Sequence, residues 1–209
     1  LYRTNAQSRA LETELRQSGM PYEIVGGVSF FQRREVKDVL AYLRLAVNPA
    51  DLASFFRVWN TPRRGLGPVV EAQVRARLAA PGADPVGVLR ALCAEGALKS
   101  VARTGAAQFV ALLDALRSQL EAPVDELFAL LLERSGYLEH LDAAGEQDLA
   151  ERRANVEELG VAAAQFAAAH AGEEAANSGL LAWLSECSLL TDADRTSEGD
   201  RVLLLTVHN

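Results

Sequence analysis

Between two segments with helical patterning lies Asn60-Thr61-Pro62-Arg63-Arg64-Gly65-Leu66-Gly67-Pro68, a turn with two glycines and two arginines. Glycine lets a backbone approach a ligand closely, and Pro68 stands where a helix could begin, at its first position. Free N–H groups at such a helix start, flanked by Arg63 and Arg64, can seat a phosphate. The competing reading of the same residues is an ordinary turn between helices.

Two further groups carry the same kind of chemistry. Arg3, Thr4, Asn5 and Ser8 stand where a short extended segment runs into a helix, so backbone N–H groups and short polar side chains could bind phosphate there. The alternative is a plain cap, with Asn5 or Thr4 closing a helix over 6–17. Thr206 and His208 end an apolar segment, Arg201 to Val207, that reads as a buried strand, and side chains at the end of such a strand emerge at the rim where ligands bind α/β sheets. A lone histidine is otherwise a surface residue; His140 and His170 have no supporting pattern. No metal-ligand spacing and no catalytic constellation is found.

The elements needed to position these groups are legible as patterns. Tyr22 to Val25 has strand composition, followed by a Gly26-Gly27 turn. Over 34–47 the apolar residues Val36, Val39, Leu40, Leu43 and Val47 follow helical spacing, and Asn48-Pro49 ends the run. Phe30 and Phe31 read as packing residues beside this helix, although aromatics can stack on bases. Glu35, Lys37 and Asp38 read as surface ion pairs. Beyond Pro49 the chain turns to Ala/Leu-rich helices, expected over 52–59, 69–78, 86–95, 97–120, 124–135, 147–169 and 179–189. The solitary terminal strand requires a partner, and the opening strand is the nearest in type. The fold expected is mainly α, with a helical insertion emerging from a partial α/β sheet.

A net charge of −7 argues at first against a nucleic-acid partner, but the charge is unevenly spread. Residues 1–77 carry 12 Lys/Arg against 7 Asp/Glu, whereas 78–209 carry 9 against 21. Exposed charges act within a Debye length of roughly 8–10 Å, so a basic first part can attract phosphate on an acidic chain. The apolar fraction of 49% is ample for a core. No apolar run of membrane-spanning length and no leader pattern occurs, and Cys93 and Cys187 read as reduced core thiols; a cytoplasmic protein without membrane contact is expected.

Four strings in order carry a resemblance: Leu1 to Arg9, Tyr22 to Leu45, the glycine turn, and Leu205 to Asn209. Together they resemble the UvrD/PcrA/Rep group of superfamily 1 DNA helicases. The resemblance implies a partial RecA-like 2A segment over 1–48, a helical 2B insertion over 49–199 and a 2A return strand over 200–209. It implies duplex contacts from Thr61, Arg63, Arg64, Gly65, Leu66 and Gly67, and single-strand contacts from Arg3, Thr4, Asn5, Ser8, Thr206 and His208. A parent that moves 3′ to 5′ using ATP and Mg2+ follows, with DNA junctions and accessory repair or transcription proteins as partners. No G-x-x-x-x-G-K-[ST] occurs in this chain, so no cofactor and no ATP hydrolysis are expected of it alone. A protein-interaction module, and a helicase-nuclease subunit, are the alternatives.

Overall fold

The computed structural model describes residues 1–3, 5–25, 27–143, 149–172, 179–192 and 200–206. The fold is mainly α, as the patterning predicts. Its centre is α2, Arg34–Val47, whose Val36, Val39, Leu40, Ala41, Tyr42, Leu43, Leu45 and Ala46 are all buried. α2 is buried over most of its circumference, with α3 (Leu52–Val58), α6 (Ser100–Arg117), α7 (Val124–Ser135), α9 (Leu149–Ala169) and α10 (Leu180–Asp192) packed around it, while Arg34 stays exposed and Lys37 and Arg44 half-buried. Asn48 leaves the helical region ahead of Pro49, which ends α2 where expected.

The remaining helices are set by local signals. Asp51 caps α3 by accepting from Ser54 N at 3.0 Å, and Asp84 caps α5 (Pro85–Ala94) by accepting from Gly87 N at 2.7 Å. α4 is Pro68–Leu78, with Pro68 at its first turn. The helix expected over 97–120 is shorter, because Lys99 is extended at its N-cap. One helix escapes the patterning: α8, Tyr137–Ala143, follows directly on left-handed Gly136, which reads in sequence only as the end of α7. The first helix, α1, is Ser8–Gln17 and is preceded by a 3-10 turn over Asn5–Gln7, so its N-cap position is Gln7, which makes no capping bond.

The α/β part is a small parallel arrangement. β1 (Tyr22–Ile24) pairs with β2 (Val202–Leu204) in the register Tyr22↔Val202, Glu23↔Leu203, Ile24↔Leu204. Tyr2 bridges Thr206, also in parallel, and donates its N–H to Leu205 O at 3.0 Å. Successive strand carbonyls point to opposite edges, and Leu204 O accepts from Val25 N, so β2 lies between Tyr2 and β1. The returning strand therefore has its expected partner on one side and the chain's opening residues on the other. It is not wholly buried: Leu204 is, whereas Val202 and Leu203 are 40% and 52% exposed.

α2 packs against α3 and α6 in one core. One expectation is revised by packing. Glu35 and Asp38 are not surface ion pairs but buried groups. Asn155 Nδ2 donates to Glu35 Oε1 at 2.6 Å, Tyr137 Oη donates to Asp38 Oδ2 at 2.8 Å, and Arg57 Nε lies 2.7 Å from Asp38 Oδ1. A polar seam continues from there to α1: Arg33 donates to Asn155 Oδ1 at 2.7 Å and Ser8 Oγ at 2.9 Å, and Arg9 pairs with Glu158 at 2.6 Å. Buried charges persist only when so partnered.

Candidate nucleic-acid interface

The turn between α3 and α4 is held from beneath by side chains. Asn60 Oδ1 accepts from Arg64 N at 2.7 Å and from Leu66 N at 3.2 Å, pinning alternate amides of the loop. Leu66 is buried and anchors the loop to the core. The Arg64 guanidinium turns inward, donating to the carbonyls of Val58 (3.0 Å), Trp59 (3.3 Å) and Pro62 (3.2 Å) and to Tyr42 Oη at 2.6 Å. It lies 5.1 Å from the Phe109 ring centroid and 5.7 Å from that of Tyr42. Tyr42 Oη in turn donates to Thr61 O. Burial pushes the Tyr42 phenol up to about 12, against the pull of Arg64, so it remains a donor at neutral pH.

The two glycines do different work. Gly65 has φ +71, the left-handed region, and a Cβ there would come within 2.8 Å of Val101 Cγ1. Gly67 is extended, and a Cβ there meets nothing within 4 Å, so its hydrogen faces open space. A third glycine matters: a Cβ on Gly105 of α6 would run into the Arg64 carbonyl, so the loop backbone lies directly on α6.

What the turn presents outward follows from what it uses inward. Among the described residues, no protein acceptor takes the N–H groups of Gly65, Gly67, Val69 or Val70, the last two in the uncapped first turn of α4. Arg63 is exposed and its guanidinium has no acceptor among the described residues. Thr61 is half-buried, its N–H donating to Val58 O at 3.0 Å. Of the six residues assigned to duplex contact, Arg63, Gly65 and Gly67 thus face outward, while Arg64 and Leu66 hold the loop from within. The guanidinium of Arg64 and the amides of Arg64 and Leu66 are bonded inside the protein. A groove of about 520 Å³ runs from Gly65 and Gly67 past Val69 and Gln73 to Lys99 and Val101 at the start of α6.

The single-strand candidates are partly dispersed. Arg3 is exposed and follows Tyr2, which bridges Thr206, so Arg3 and Thr206 come together at one end of the parallel strands. Ser8 is fully buried and accepts from Arg33, which removes it from any surface. Asn5 belongs to the 3-10 turn before α1. Thr4 and His208 lie outside the described residues. Phe30 and Phe31 are core, packed edge to face at 5.2 Å between centroids. Sequence reasoning passed over Tyr42, Asn60 and Gly105 as functional supports. Their only sequence signals were a hydroxyl within an otherwise apolar helix face, an Asn opening a glycine turn, and a glycine inside a long helix.

The exposed glycine turn thus presents open amides and one arginine without an acceptor among the described residues. A family profile described as the UvrD-like helicase C-terminal domain matches residues 1–78. ATP-dependent DNA helicase UvrD1 of Mycobacterium tuberculosis (strain ATCC 25618 / H37Rv) is 38% identical over 221 aligned residues, covering 99% of this chain. The chain is UvrD/PcrA-like. ATP-dependent DNA helicase PcrA of Leuconostoc citreum is 35% identical over 214 residues, and that of Bacillus subtilis (strain 168) 32% over 223, each covering 100% of the chain. This UvrD/PcrA-like chain spans about 28% of the length of each of these relatives. Among the described residues no helix is long and apolar enough to cross a membrane, and no group of His, Cys, Asp and Glu could hold a metal ion.

Proposed function

We propose that this chain is the duplex-holding helical insertion, with its adjoining sheet edge, of an ATP-dependent 3′ to 5′ DNA helicase acting in the cytoplasm. The observation that carries the reading is the pair of outward features at the turn: open amides on Gly65, Gly67 and Val69, and an uncommitted Arg63, on a loop braced by Asn60, Arg64 and Tyr42. Backbone amides recognise phosphate without reading bases, which suits a protein that must pass along any sequence. Arg3 and Thr206, at the rim of the parallel strands, would meet the single strand. ATP and Mg2+ would be held by parts of the parent outside this segment, and accessory repair or transcription proteins would meet its acidic helical face.

The test is binding of a fluorescent hairpin carrying a single-stranded tail. Duplex affinity that falls as salt rises, with a log–log slope of about −0.9 per phosphate contacted, supports the reading. No binding at low salt would replace it with a protein-interaction module.

A further inference from the structure

The glycine turn is closed by a single side-chain atom. Asn60 Oδ1 accepts from Arg64 N at 2.7 Å and from Leu66 N at 3.2 Å, so two donors converge on one acceptor. In a primary amide only the oxygen can meet N–H groups, which settles the end of the side chain that faces the loop. Nδ2, with no acceptor among the described residues, takes the other end. A planar amide puts it about 2.2 Å from Oδ1, and so no further than about 5 Å from Arg64 N.

This arrangement decides which amides stay open. Arg64 and Leu66 direct theirs to Asn60, whereas the N–H groups of Gly65 and Gly67, alternating with them, have no protein acceptor among the described residues. Hydrogen bonding alone does not call for asparagine at this position, because carboxylates hold backbone amides elsewhere in the chain. Asp51 Oδ1 accepts from Ser54 N at 3.0 Å and Asp84 Oδ1 from Gly87 N at 2.7 Å. Those two residues open α3 and α5, where a negative charge suits the helix start. At the glycine turn a carboxylate would make the same two bonds, strengthened by its charge. It would also put a second anionic oxygen where Asn60 has an N–H donor, and its charge would reach the open amides well within a Debye length of roughly 8–10 Å.

We propose that Asn60 is the positioning residue of the phosphate seat and keeps that seat selective for an anion. Its oxygen takes the Arg64 and Leu66 amides so that those of Gly65 and Gly67 remain for phosphate, and its uncharged amide leaves the local potential positive. The inference rests on the duplex reading of the turn and adds to it the side chain on which the geometry and the charge of the seat both depend.

Asn60→Asp and Asn60→Ala separate the two contributions. The parent and each variant are titrated with a short blunt duplex over a range of salt, and amide exchange at Arg64, Gly65, Leu66 and Gly67 is followed by NMR with and without the duplex. In the parent the Arg64 and Leu66 amides should exchange slowly without DNA, and those of Gly65 and Gly67 should become protected only when duplex binds. Asn60→Asp should keep the Arg64 and Leu66 protection and at least the parental denaturation midpoint, yet bind duplex about tenfold more weakly at low salt, a deficit that narrows as salt rises. Asn60→Ala should lose that protection, and its deficit should persist at every salt concentration. Should Asn60→Ala lose its helices by circular dichroism, the Asn60→Asp comparison decides alone. An Asn60→Asp protein with parental duplex affinity at low salt, while Arg63→Ala still weakens binding, would overturn the role of Asn60 and leave the turn reading standing. A parent that binds no duplex at low salt would overturn both.

Discussion

Arg63 and Arg64 are adjacent, yet their side chains have opposite surroundings, so truncating them should give different readouts. Arg64 donates to three carbonyls and to Tyr42 beneath the turn. Arg64→Ala leaves those acceptors short and should cost about 1–3 kcal/mol of stability by chemical denaturation, with the salt slope of any remaining duplex binding unchanged. Arg63→Ala should leave stability within about 0.5 kcal/mol, weaken duplex binding for every sequence alike and lower the slope by about one. Equal slopes for the two variants would mean that both reach phosphate. The glycines separate in the same way. Gly65→Val meets Val101 and a left-handed backbone, so it should destabilise; Gly67→Val stands in open space, so it should fold normally and lose duplex affinity. A well-folded Gly67→Val protein with parental duplex affinity would remove the turn from the interface.

At the scale of elements, the α2–turn–α6 stack is the rigid mount. Tyr42 joins α2 to Thr61 O and Arg64, and Gly105 lets the Arg64 backbone rest on α6. Tyr42→Phe should cost about 1–2 kcal/mol at neutral pH while leaving the helices intact. The phenol's folded value, about 12, lies above the ordinary value of 10.0, so its contribution is complete below pH 10 and is lost as pH rises through 12. Denaturation midpoints measured at pH 8 and near pH 11 should therefore fall less in Tyr42→Phe than in the parent. β2 is the other vulnerable element, because it lies between Tyr2 and β1. Deleting residues 201–209 should expose the segment from Gly19 to Ser29 to protease first, with amide exchange in α2 still slow. Simultaneous loss of protection in both would show one cooperative unit, joined through the Arg9–Glu158 and Arg33–Asn155 seam.

For the molecule as a whole, the uneven charge sets how it should meet DNA. With −7 overall but a basic first third, duplex binding should be weak at physiological salt and steepen strongly at low salt, the outward cations Arg34 and Arg63 acting locally. The chain alone is expected to release no phosphate from ATP above a no-protein blank with or without DNA. DNA-stimulated turnover would reveal a nucleotide site in it. Cys187, whose thiol burial pushes up to about 12, should resist alkylation in the native state and react only on unfolding.

Helix positions were legible in the residues because their signals are local: the apolar period of α2, Asn48-Pro49 at its end, Asp51 and Asp84 as caps, Pro68 at a first turn. The glycine turn was legible for the same reason, and so was the pairing of a solitary late strand with an early one. The direction in which each polar side chain points was not, since nothing in Arg63-Arg64 distinguishes the arginine that turns inward from the one that faces water. That choice belongs to Tyr42, Phe109 and Gly105, distant in sequence and brought under the loop only when α2, α3 and α6 pack. Ser8, Glu35 and Asp38 look like surface residues as types, and become interior ones because Arg33, Asn155 and Tyr137 arrive from other elements to satisfy them.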